Sequence, residues 1–336
     1  MKVDTGIGHQ LEEIPQAVRN AEAAGYDGVR TAETSHDPFF PLLLAAEHSK
    51  KLEICTSIAV AFARSPMILA NIGHDLNAYS RGRFTLGLGS QIKPHITKRF
   101  SMPWGAPAKQ MRELVLAMRA IWSNWYQGEP LEFVGQFYRH TLMTPAFTPE
   151  NAQYGAPRVV LAAVGPVMTE VAGEVADGMI IHPFSTVPYI QSVTLPAIQA
   201  GLAKADRKRE DFEISYSSFV VTGRDEAEFE ASRKAARERV AFYGSTPAYK
   251  GVLDSIGAGE LQAELNTLSK QGRWQEMGAR ITDDLLEAFA VVGEPKDIAP
   301  EMLRRYGDFT DRTSASFPVS DAGERSKIIQ ALRAAD

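Results

Sequence analysis

An alternation of short apolar segments with amphipathic segments runs through most of this 336-residue chain. It constrains the fold more than any other feature of the sequence. In the first cycle, a strand candidate at residues 3–7 is followed by apolar residues spaced by three and four from Leu11 to Ala21. That spacing is typical of one face of a helix, and Gly25 stands where such a helix would end. The cycle then begins again.

Eight strand candidates recur in this way, separated by helix candidates. They cover residues 3–7, 28–32, 53–59, 84–89, 159–163, 178–181, 212–221 and 312–317. Alternation of strands with helices indicates a parallel sheet, because each parallel pair needs a crossover connection. Eight such units predict an α/β protein with a closed (β/α)8 TIM barrel. An open, doubly wound sheet is the alternative arrangement.

Two insertions account for the length beyond the roughly 250 residues of a typical barrel. The first comes after strand four and its long helix, at about residues 126–156, and contains a hairpin candidate that turns near Gly135. The second comes after helix seven, at about residues 244–280, where the polar sequence predicts short helices. No Pro/Ser-rich linker divides the chain, so we expect residues 1–336 to form a single barrel domain.

Composition excludes several classes of protein. With 36 basic and 41 acidic residues the net charge is −5, which argues against a protein that binds nucleic acid. The only cysteine is Cys55, so a disulfide framework and a multi-cysteine metal site are excluded, and His36-Asp37 lacks a third ligand at metal-binding spacing. We find neither a signal peptide nor a membrane span, and therefore expect a cytoplasmic protein.

The candidate site follows from the predicted barrel, because barrel enzymes place their active sites at the carboxyl ends of the strands. The residues at or after the ends of strands two to six are Glu33 and His36; Ser57, Ile58 and Ala59; Gly89, Ser90 and Gln91; Ala163, Val164, Gly165 and Pro166; and His182. His36 is the candidate acid or base, since imidazole changes charge near neutral pH. A structural role is the alternative for a lone histidine.

Two glycine segments carry further predictions. At Gly165-Pro166 a strand turns into a helix, whose first N–H groups form an anion or phosphate site. The alternative there is a tight turn alone. Gly87-Leu88-Gly89 lacks the third glycine of a dinucleotide fingerprint, because Ile92 stands in its place. We interpret that segment as backbone approached closely by a flat ligand.

A basic cluster follows strand four. It consists of Lys93, His95, Lys98 and Arg99. Such a run is usually a solvated surface, and the alternative is contact with the anionic tail of a ligand. Hydrolase and kinase motifs, such as Gly-x-Ser-x-Gly and the Walker loop, do not occur.

Several longer motifs occur in a fixed order between about residues 3 and 317. They include Gly25-Tyr26-Asp27-Gly28-Val29, Thr56-Ser57-Ile58-Ala59, Ser80-Arg81-Gly82-Arg83-Phe84, Leu86-Gly87-Leu88-Gly89, Gly135-Gln136-Phe137-Tyr138 and Ala172-Gly173-Glu174-Val175-Ala176-Asp177-Gly178. Together they resemble the bacterial-luciferase-like superfamily of flavin and deazaflavin oxidoreductases. The Ala162–Pro166 segment and His182-Pro183-Phe184 resemble the branch that uses coenzyme F420 rather than FMN.

The resemblance implies a (β/α)8 barrel with the cofactor ring at its mouth, against a bulge with a non-prolyl cis peptide at Ser57-Ile58. It implies that the helix start at Gly165 holds the cofactor phosphate. It also implies hydride transfer between the deazaflavin C5 and a small organic substrate, a carbonyl, alcohol or conjugated compound. His36 would donate or accept the proton, with Glu33 assisting. The cofactor would supply the redox chemistry and the protein its orientation.

The sequence departs from the family pattern at one place, where Ser90-Gln91 replaces a glutamate found in some deazaflavin dehydrogenases. Glutamine cannot give up a proton, which argues against sugar-phosphate dehydrogenation by that route. The first alternative function is an FMN-dependent two-component monooxygenase supplied by a partner reductase. The second is a cofactor carrier without catalytic activity. The resemblance further implies a homodimer, and it leaves the substrate open.

Overall fold

The computed structural model describes residues 1–335. In the first half, the elements in chain order are β1 (Lys2–Gly6), α1 (Ile14–Ala24), β2 (Gly28–Thr31), α2 (Phe39–His48), β3 (Glu53–Thr56), β4 (Ala59–Val60), α3 (Pro66–Tyr79), β5 (Phe84–Gly89), α4 (Pro107–Gln127), β6 (Phe133–Val134) and β7 (Arg139–His140). Short 3₁₀ turns and one π-helical turn, His95–Arg99, lie between them.

The second half continues the alternation with more helices. Its elements are β8 (Arg158–Ala163), α5 (Pro166–Val175), β9 (Gly178–Ile181), α6 (Val187–Tyr189), α7 (Leu195–Lys204), β10 (Glu213–Tyr216), β11 (Phe219–Val221), α8 (Glu226–Gly244), α9 (Lys250–Asp254), α10 (Leu261–Lys270), α11 (Trp274–Ala279), α12 (Asp283–Phe289), β12 (Ala290–Val292), α13 (Pro295–Tyr306), β13 (Arg312–Thr313) and α14 (Ala322–Arg333). No helix within residues 1–335 combines the length and the apolar character needed to cross a bilayer.

Eight parallel strands close into a barrel. Their order around it is β3, β2, β1, β13, β10, β9, β8 and β5, and β5 returns to pair with β3. The closing pairs join Ile54 to Phe84 and Cys55 to Thr85. The (β/α)8 prediction is therefore confirmed, and the open doubly wound sheet is excluded.

Two predicted strands are wrong in extent. The strand predicted at 53–59 is interrupted at Ser57-Ile58, beyond which β4 continues the ladder against β5. The strand predicted at 212–221 divides into β10, which belongs to the barrel, and β11, which pairs instead with β12 outside it. Apolar content is continuous through both segments, so hydropathy alone could not reveal where each strand changes partner.

Other boundaries differ by a few residues. Helix α12 begins at Asp283 after the cap residue Thr282, and β12, which follows it, was not among the eight predicted strands. The last barrel strand contains only Arg312–Thr313, not residues 312–317. The predicted helix end at Gly25 is confirmed, since Gly25 ends α1 with φ of 88°. At the start of α3, the Ser65 hydroxyl accepts a hydrogen bond from the Ile68 N–H at 3.3 Å.

Both insertions form the structures predicted for them. In the first, the hairpin of β6 and β7 is attached to α4 because the Glu113 carboxylate accepts hydrogen bonds from the N–H groups of Gln136, Phe137 and Tyr138 at 2.6–2.9 Å. In the second, α10 and α11 pack against α8, and residues of α9, α10 and α11 share a smaller apolar cluster with Phe184 and Phe289. This cluster lies beyond the carboxyl ends of β9 and β10.

The amino-terminal end of the barrel is filled by buried charged side chains. The Asp4 carboxylate forms ion pairs with Arg30 and Arg312, with nitrogen-to-oxygen distances of 2.6 Å in both. The exposed fraction of each of these three side chains is 6% or less. Arg312 also pairs with Glu53 and, at 3.2 Å, with Glu213. Burial would raise the pKa of the Glu213 carboxyl, but Arg312 and Arg158 outweigh burial and the pKa is lowered. Only about 10 Å³ of cavity remains among these groups.

Candidate active site

The carboxyl ends of the eight strands surround the opposite end of the barrel, here called the mouth. Because the strand order is fixed, residues that follow neighbouring strands meet there. The segment after β2 meets those after β1 and β3, and the segment after β10 meets those after β9 and β13. The strand-end residues singled out from the sequence are thereby gathered at one end of the molecule, as a barrel requires.

A bulge between β3 and β4 forms one wall of the mouth. The Ser57-Ile58 peptide is cis, as the family resemblance implied. The Ser57 N–H donates to the Thr31 carbonyl at 2.6 Å, and the Ile58 carbonyl accepts from the Glu33 N–H at 3.0 Å. The bulge is thus held on both sides by the end of β2. Ser57 and Ile58 are both half-buried, so the wall they form remains accessible.

Glu33 is buried beneath this wall and has no free oxygen. Its Oε2 accepts from the Val60 N–H and from Arg64, both at 2.7 Å, and its Oε1 accepts from Arg64 at 3.2 Å. Arg64 in turn donates to Asp37 at 2.9 Å. These contacts place Glu33 where it fixes the bulge and the loop after β2. Sequence reasoning missed Arg64, because nothing in the local pattern before α3 distinguishes it from a surface arginine.

The glycines of β5 correct one interpretation from the sequence. A Cβ on Gly87 would lie 1.8 Å from the Thr56 carbonyl oxygen, and a Cβ on Gly89 would lie 2.8 Å from Ile58 Cδ1. The close approach predicted at these positions is therefore made by the chain itself, and the flat-ligand interpretation is wrong for this face of β5. Gly89 is needed there because it leaves room for the Ile58 side chain.

His36 lies exposed on the loop after β2 and stacks on His9, which follows β1. The two imidazole centroids are 4.2 Å apart and the rings are inclined by 19°. Sequence reasoning missed His9, although the strand-end rule that selected His36 also applies to it. Two neighbouring titratable rings at the mouth can accept, hold or release a proton.

The turn after β8 is open to solvent. Gly165 is the N-cap of α5, no side chain caps that helix, and a Cβ on Gly165 would meet no atom within 4 Å. The first N–H groups of a helix attract anions, because they have no partner within the helix and lie at its positive end. Val164 is held beside this turn by the Tyr189 hydroxyl, which donates to its carbonyl at 3.2 Å. Pro166 is exposed.

His182, after β9, packs in an aromatic cluster. Its ring centroid lies 4.7 Å from that of Tyr243 and 4.8 Å from that of Tyr249. Burial lowers the pKa of His182 to about 4, so the ring is neutral at pH 7. Because Nδ1 accepts from the Phe184 N–H at 3.1 Å, the neutral ring carries its proton on Nε2. Tyr243 and Tyr249 were missed, since the insertion that supplies Tyr249 has no recognisable site pattern.

The remaining strand-end candidates differ in exposure. Ser90 and Gln91 are half-buried, and Gln91 has the left-handed backbone φ of 57°. Ala59 and Ala163 are buried in the apolar core, at 0% and 6% exposure, so the structure does not bring their side chains to the surface of the mouth. The basic cluster after β5 forms an exposed π-helical turn, where Arg99 donates to the Thr34 carbonyl.

Two further groups bear on the chemistry. Burial raises the pKa of the Cys55 thiol to about 11, so it is protonated at neutral pH and is not a reactive nucleophile. Within residues 1–335, no three His, Cys, Asp or Glu side chains are grouped to hold a metal ion.

The luciferase-like monooxygenase family matches residues 2–312. This chain belongs to that family. An uncharacterized protein of Mycobacterium tuberculosis is 52% identical to it over 333 residues, which cover 99% of this chain and 97% of the relative. The 5,10-methylenetetrahydromethanopterin reductase of Archaeoglobus fulgidus is 27% identical over 331 residues, which cover 95% of this chain and 93% of the relative. The family is one of oxidoreductases and monooxygenases, and the resemblance drawn from the motifs is confirmed.

Solved structures share the fold of this family member. The coenzyme F420-dependent tetrahydromethanopterin reductase of Methanopyrus kandleri superimposes with a TM-score of 0.78 at 19% identity, covering 99% of this chain and 96% of that one. An F420-dependent secondary alcohol dehydrogenase, in complex with an F420-acetone adduct, gives 0.72 at 15% identity, with 99% of each chain covered. An EDTA monooxygenase from Chelativorans gives a TM-score of 0.70 at 14% identity, with 99% of this chain and 93% of that chain covered. At these identities the likeness concerns the fold alone.

Proposed function

We propose that this family member is an F420-dependent oxidoreductase that acts on a small organic substrate at the barrel mouth. The observation that carries the proposal is the pairing of an accessible backbone wall, Ser57-Ile58, with a stacked imidazole pair, the exposed His36 and the half-buried His9. F420 is favoured over FMN because the Ala162–Pro166 segment resembles the F420 branch of the family, and because a 26% identical relative from Mycobacterium tuberculosis is a putative coenzyme F420-dependent oxidoreductase.

The residues present fit a phosphate-bearing ring cofactor. The open backbone at Gly165 leaves space that a Cβ would fill, beside a ten-residue helix with uncapped N–H groups, which suits a phosphate. Ser57, Ile58, Ser90 and Gln91 offer a half-buried surface for the ring. A deazaflavin held by these residues would supply hydride-transfer chemistry at its C5. Neutral His182 would border the cofactor as an uncharged hydrogen-bond donor through Nε2.

In this proposal His36 holds or releases the proton that accompanies hydride transfer. Its ring is exposed at the mouth, so substrate can reach it, and general acid–base catalysis by histidine operates near neutral pH. His9 orients the ring by stacking at 4.2 Å and supplies a second site for the proton. His9 is therefore a positioning residue, whereas His36 is the proposed catalytic one.

Glu33 acts through the bulge and not on the substrate. Oε2 accepts from both the Val60 N–H and Arg64, and Oε1 accepts from Arg64, so the carboxylate is held in a buried ion pair that a proton-transfer function would have to break. We therefore assign Glu33 the function of holding Ser57-Ile58 in place.

We also propose that two copies of the chain form a homodimer through α2 and α3. The exposed fractions of Phe40, Leu43, Ile68 and Tyr79 are 62%, 43%, 51% and 50%. Apolar surface collected on neighbouring helices marks an association site. Light scattering after size-exclusion chromatography should give twice the chain mass, and the Phe40→Glu variant should give one chain mass. A monomeric wild-type chain would rule the dimer out.

A fluorescence titration tests the proposed cofactor. Purified protein is titrated with oxidised F420 and, separately, with FMN. We expect saturable binding of F420 at micromolar concentration, and FMN binding weaker by about tenfold or more, a difference of about 1.4 kcal/mol. Preference for FMN, with oxygen consumed in proportion to turnover, would replace the proposal with a monooxygenase that needs a partner reductase. Binding of neither cofactor would exclude both functions.

A further inference from the structure

A second cavity opens at the mouth, between α8 and the ends of β10 and β13. Its volume is about 320 Å³, within the range of small-molecule sites. Pro183 and Tyr243 form its inner side, and Tyr243 packs edge-on against His182 at 4.7 Å. The cavity therefore begins beside the residues proposed to border the cofactor and extends to the surface along α8.

Small side chains on α8 create this space. Ser232, Ala235 and Ala236 lie at positions i, i+3 and i+4, so they share one helix face, and all three line the cavity. Arg239 and Tyr243 continue the same face one and two turns later. A helix that only needed to pack against the barrel would carry larger apolar residues along this stripe.

Hydroxyl groups line the opposite side. Ser217 and Ser314 follow the neighbouring strands β10 and β13, and their oxygens are 2.8 Å apart. Ser217 Oγ also accepts from the Ser314 N–H at 2.9 Å. Only one of the two hydroxyl hydrogens is used between them, so one remains to donate to a ligand.

Arg239 is the one cation that lines the cavity, and among residues 1–335 no carboxylate lies within 4 Å of it. The other two arginines of α8 are paired: Arg233 with Glu230 at 2.8 Å, and Arg237 with Asp283 at 2.5 Å. An unpaired guanidinium beside a free hydroxyl donor suits a carboxylate or phosphate oxygen. Phosphate sites near strands seven and eight are frequent in barrels of this class.

We infer that this cavity binds an oxyanion group, a carboxylate or a phosphate, on the substrate. Arg239 supplies the charge, and Ser217 and Ser314 supply a hydroxyl donor. The inference rests on the proposed function, because it places the reacting part of the substrate toward the cofactor beside His182. The enzyme is thereby specific for small organic acids or phosphate esters over their neutral analogues.

Isothermal titration calorimetry tests the inference with orthophosphate, acetate and neutral glycerol as probes. The protein is loaded with whichever cofactor it binds, or used without one if it binds neither. We expect one anion per chain and no binding of glycerol. Arg239→Gln should weaken anion binding by about tenfold or more, the loss typical of a charge-assisted hydrogen bond. Lys234→Gln is the matched control, because Lys234 is exposed on the same helix and does not line the cavity.

A second variant, Ala235→Leu, fills the space without changing charge and should abolish anion binding while the thermal unfolding temperature stays unchanged. Tighter binding of orthophosphate identifies a phosphate ester as the substrate class, and tighter binding of acetate identifies an organic acid. An anion affinity that is the same in Arg239→Gln and wild type overturns the inference, as does the absence of saturable anion binding. Failure of the proposed function has a different signature, since neither F420 nor FMN then binds.

Discussion

The two ends of the barrel are built from the same strands but differ in whether their charged side chains are paired. At the amino-terminal end, Asp4 lies between Arg30 and Arg312, each contact is 2.6 Å, and about 10 Å³ of cavity is left. At the mouth, His36 is exposed, Arg239 is unpaired among the described residues, and a cavity of about 320 Å³ remains. One end is closed by its ion pairs, while the other keeps polar groups available.

This difference in charge pairing implies that the amino-terminal ends of the strands contribute mainly to stability and the carboxyl ends mainly to function. A buried charge that loses its partner is expensive, so the compensated end resists substitution for structural reasons. Polar groups left without partners at the mouth gain most from a ligand, which is the usual arrangement in barrels of this type. Substitutions at the closed end should therefore change unfolding, and substitutions at the mouth should change binding or turnover.

The largest effect is expected at Asp4. Asp4→Asn removes the charge that compensates Arg30 and Arg312, both almost fully buried, and should lower the free energy of unfolding by about 3–5 kcal/mol. Urea denaturation measures this loss. Lys327→Ala is the control, because it removes the exposed 2.6 Å pair with Glu324 and should leave the free energy of unfolding nearly unchanged. Equal effects from the two substitutions would contradict the contrast between the closed end and the surface.

At the mouth, His36→Ala should lower turnover by about a hundredfold, because general acid–base catalysis contributes on that order. Cofactor binding and the urea midpoint should be unchanged. Steady-state kinetics with an acceptor that supports turnover, together with a cofactor titration, measures the effect. The control is His48→Ala, since His48 is exposed at the end of α2. Full turnover in His36→Ala would remove His36 from the mechanism.

Two glycines provide a matched pair. At Gly165 an added methyl group meets no protein atom, so Gly165→Ala should leave unfolding unchanged but weaken cofactor binding by about tenfold if a phosphate lies there. At Gly89 the methyl group would lie 2.8 Å from Ile58, so Gly89→Ala should lower stability by about 1–3 kcal/mol. If Gly165→Ala binds the cofactor as tightly as wild type, the segment is only a tight turn.

A further effect depends on pH. Burial lowers the pKa of folded His182 to about 4, whereas an unfolded histidine titrates near 6.5. The unfolded chain therefore takes up this proton first, and stability falls as the pH drops from about 6.5 to about 4. His182→Phe keeps the aromatic packing and should reduce the loss over that range by about 3 kcal/mol. Urea midpoints at several pH values measure it, and an unaltered slope would show that His182 titrates normally.

Much of the barrel could be predicted from the sequence because its elements are encoded locally. The 3.6-residue spacing in α1, the Ser65-Pro66 helix start and the glycine at the end of α1 each depend on near neighbours along the chain. For the same reason the strand-end rule located His36, Gly165 and His182 at one face. The same rule applies to His9, because it follows the end of β1.

The errors have a common cause in long-range contacts. Hydropathy does not show that residues 57–58 leave the ladder, or that β11 pairs with β12 instead of remaining in the barrel. The function of Gly89 depends on Ile58, which is 31 residues away, and the function of Glu33 depends on Arg64. No local pattern connects such residues.

The sequence alone therefore determined the order of strands and helices, the barrel class, the family and the end of the barrel at which chemistry would occur. Only the tertiary structure decided that the Glu33 carboxylate pairs with Arg64, that His36 stacks on His9 and that His182 is neutral. It also decided that Arg239 stands unpaired beside a cavity. Secondary structure follows from interactions among near neighbours, whereas charge, burial and open space at a site depend on which distant segments the fold brings together.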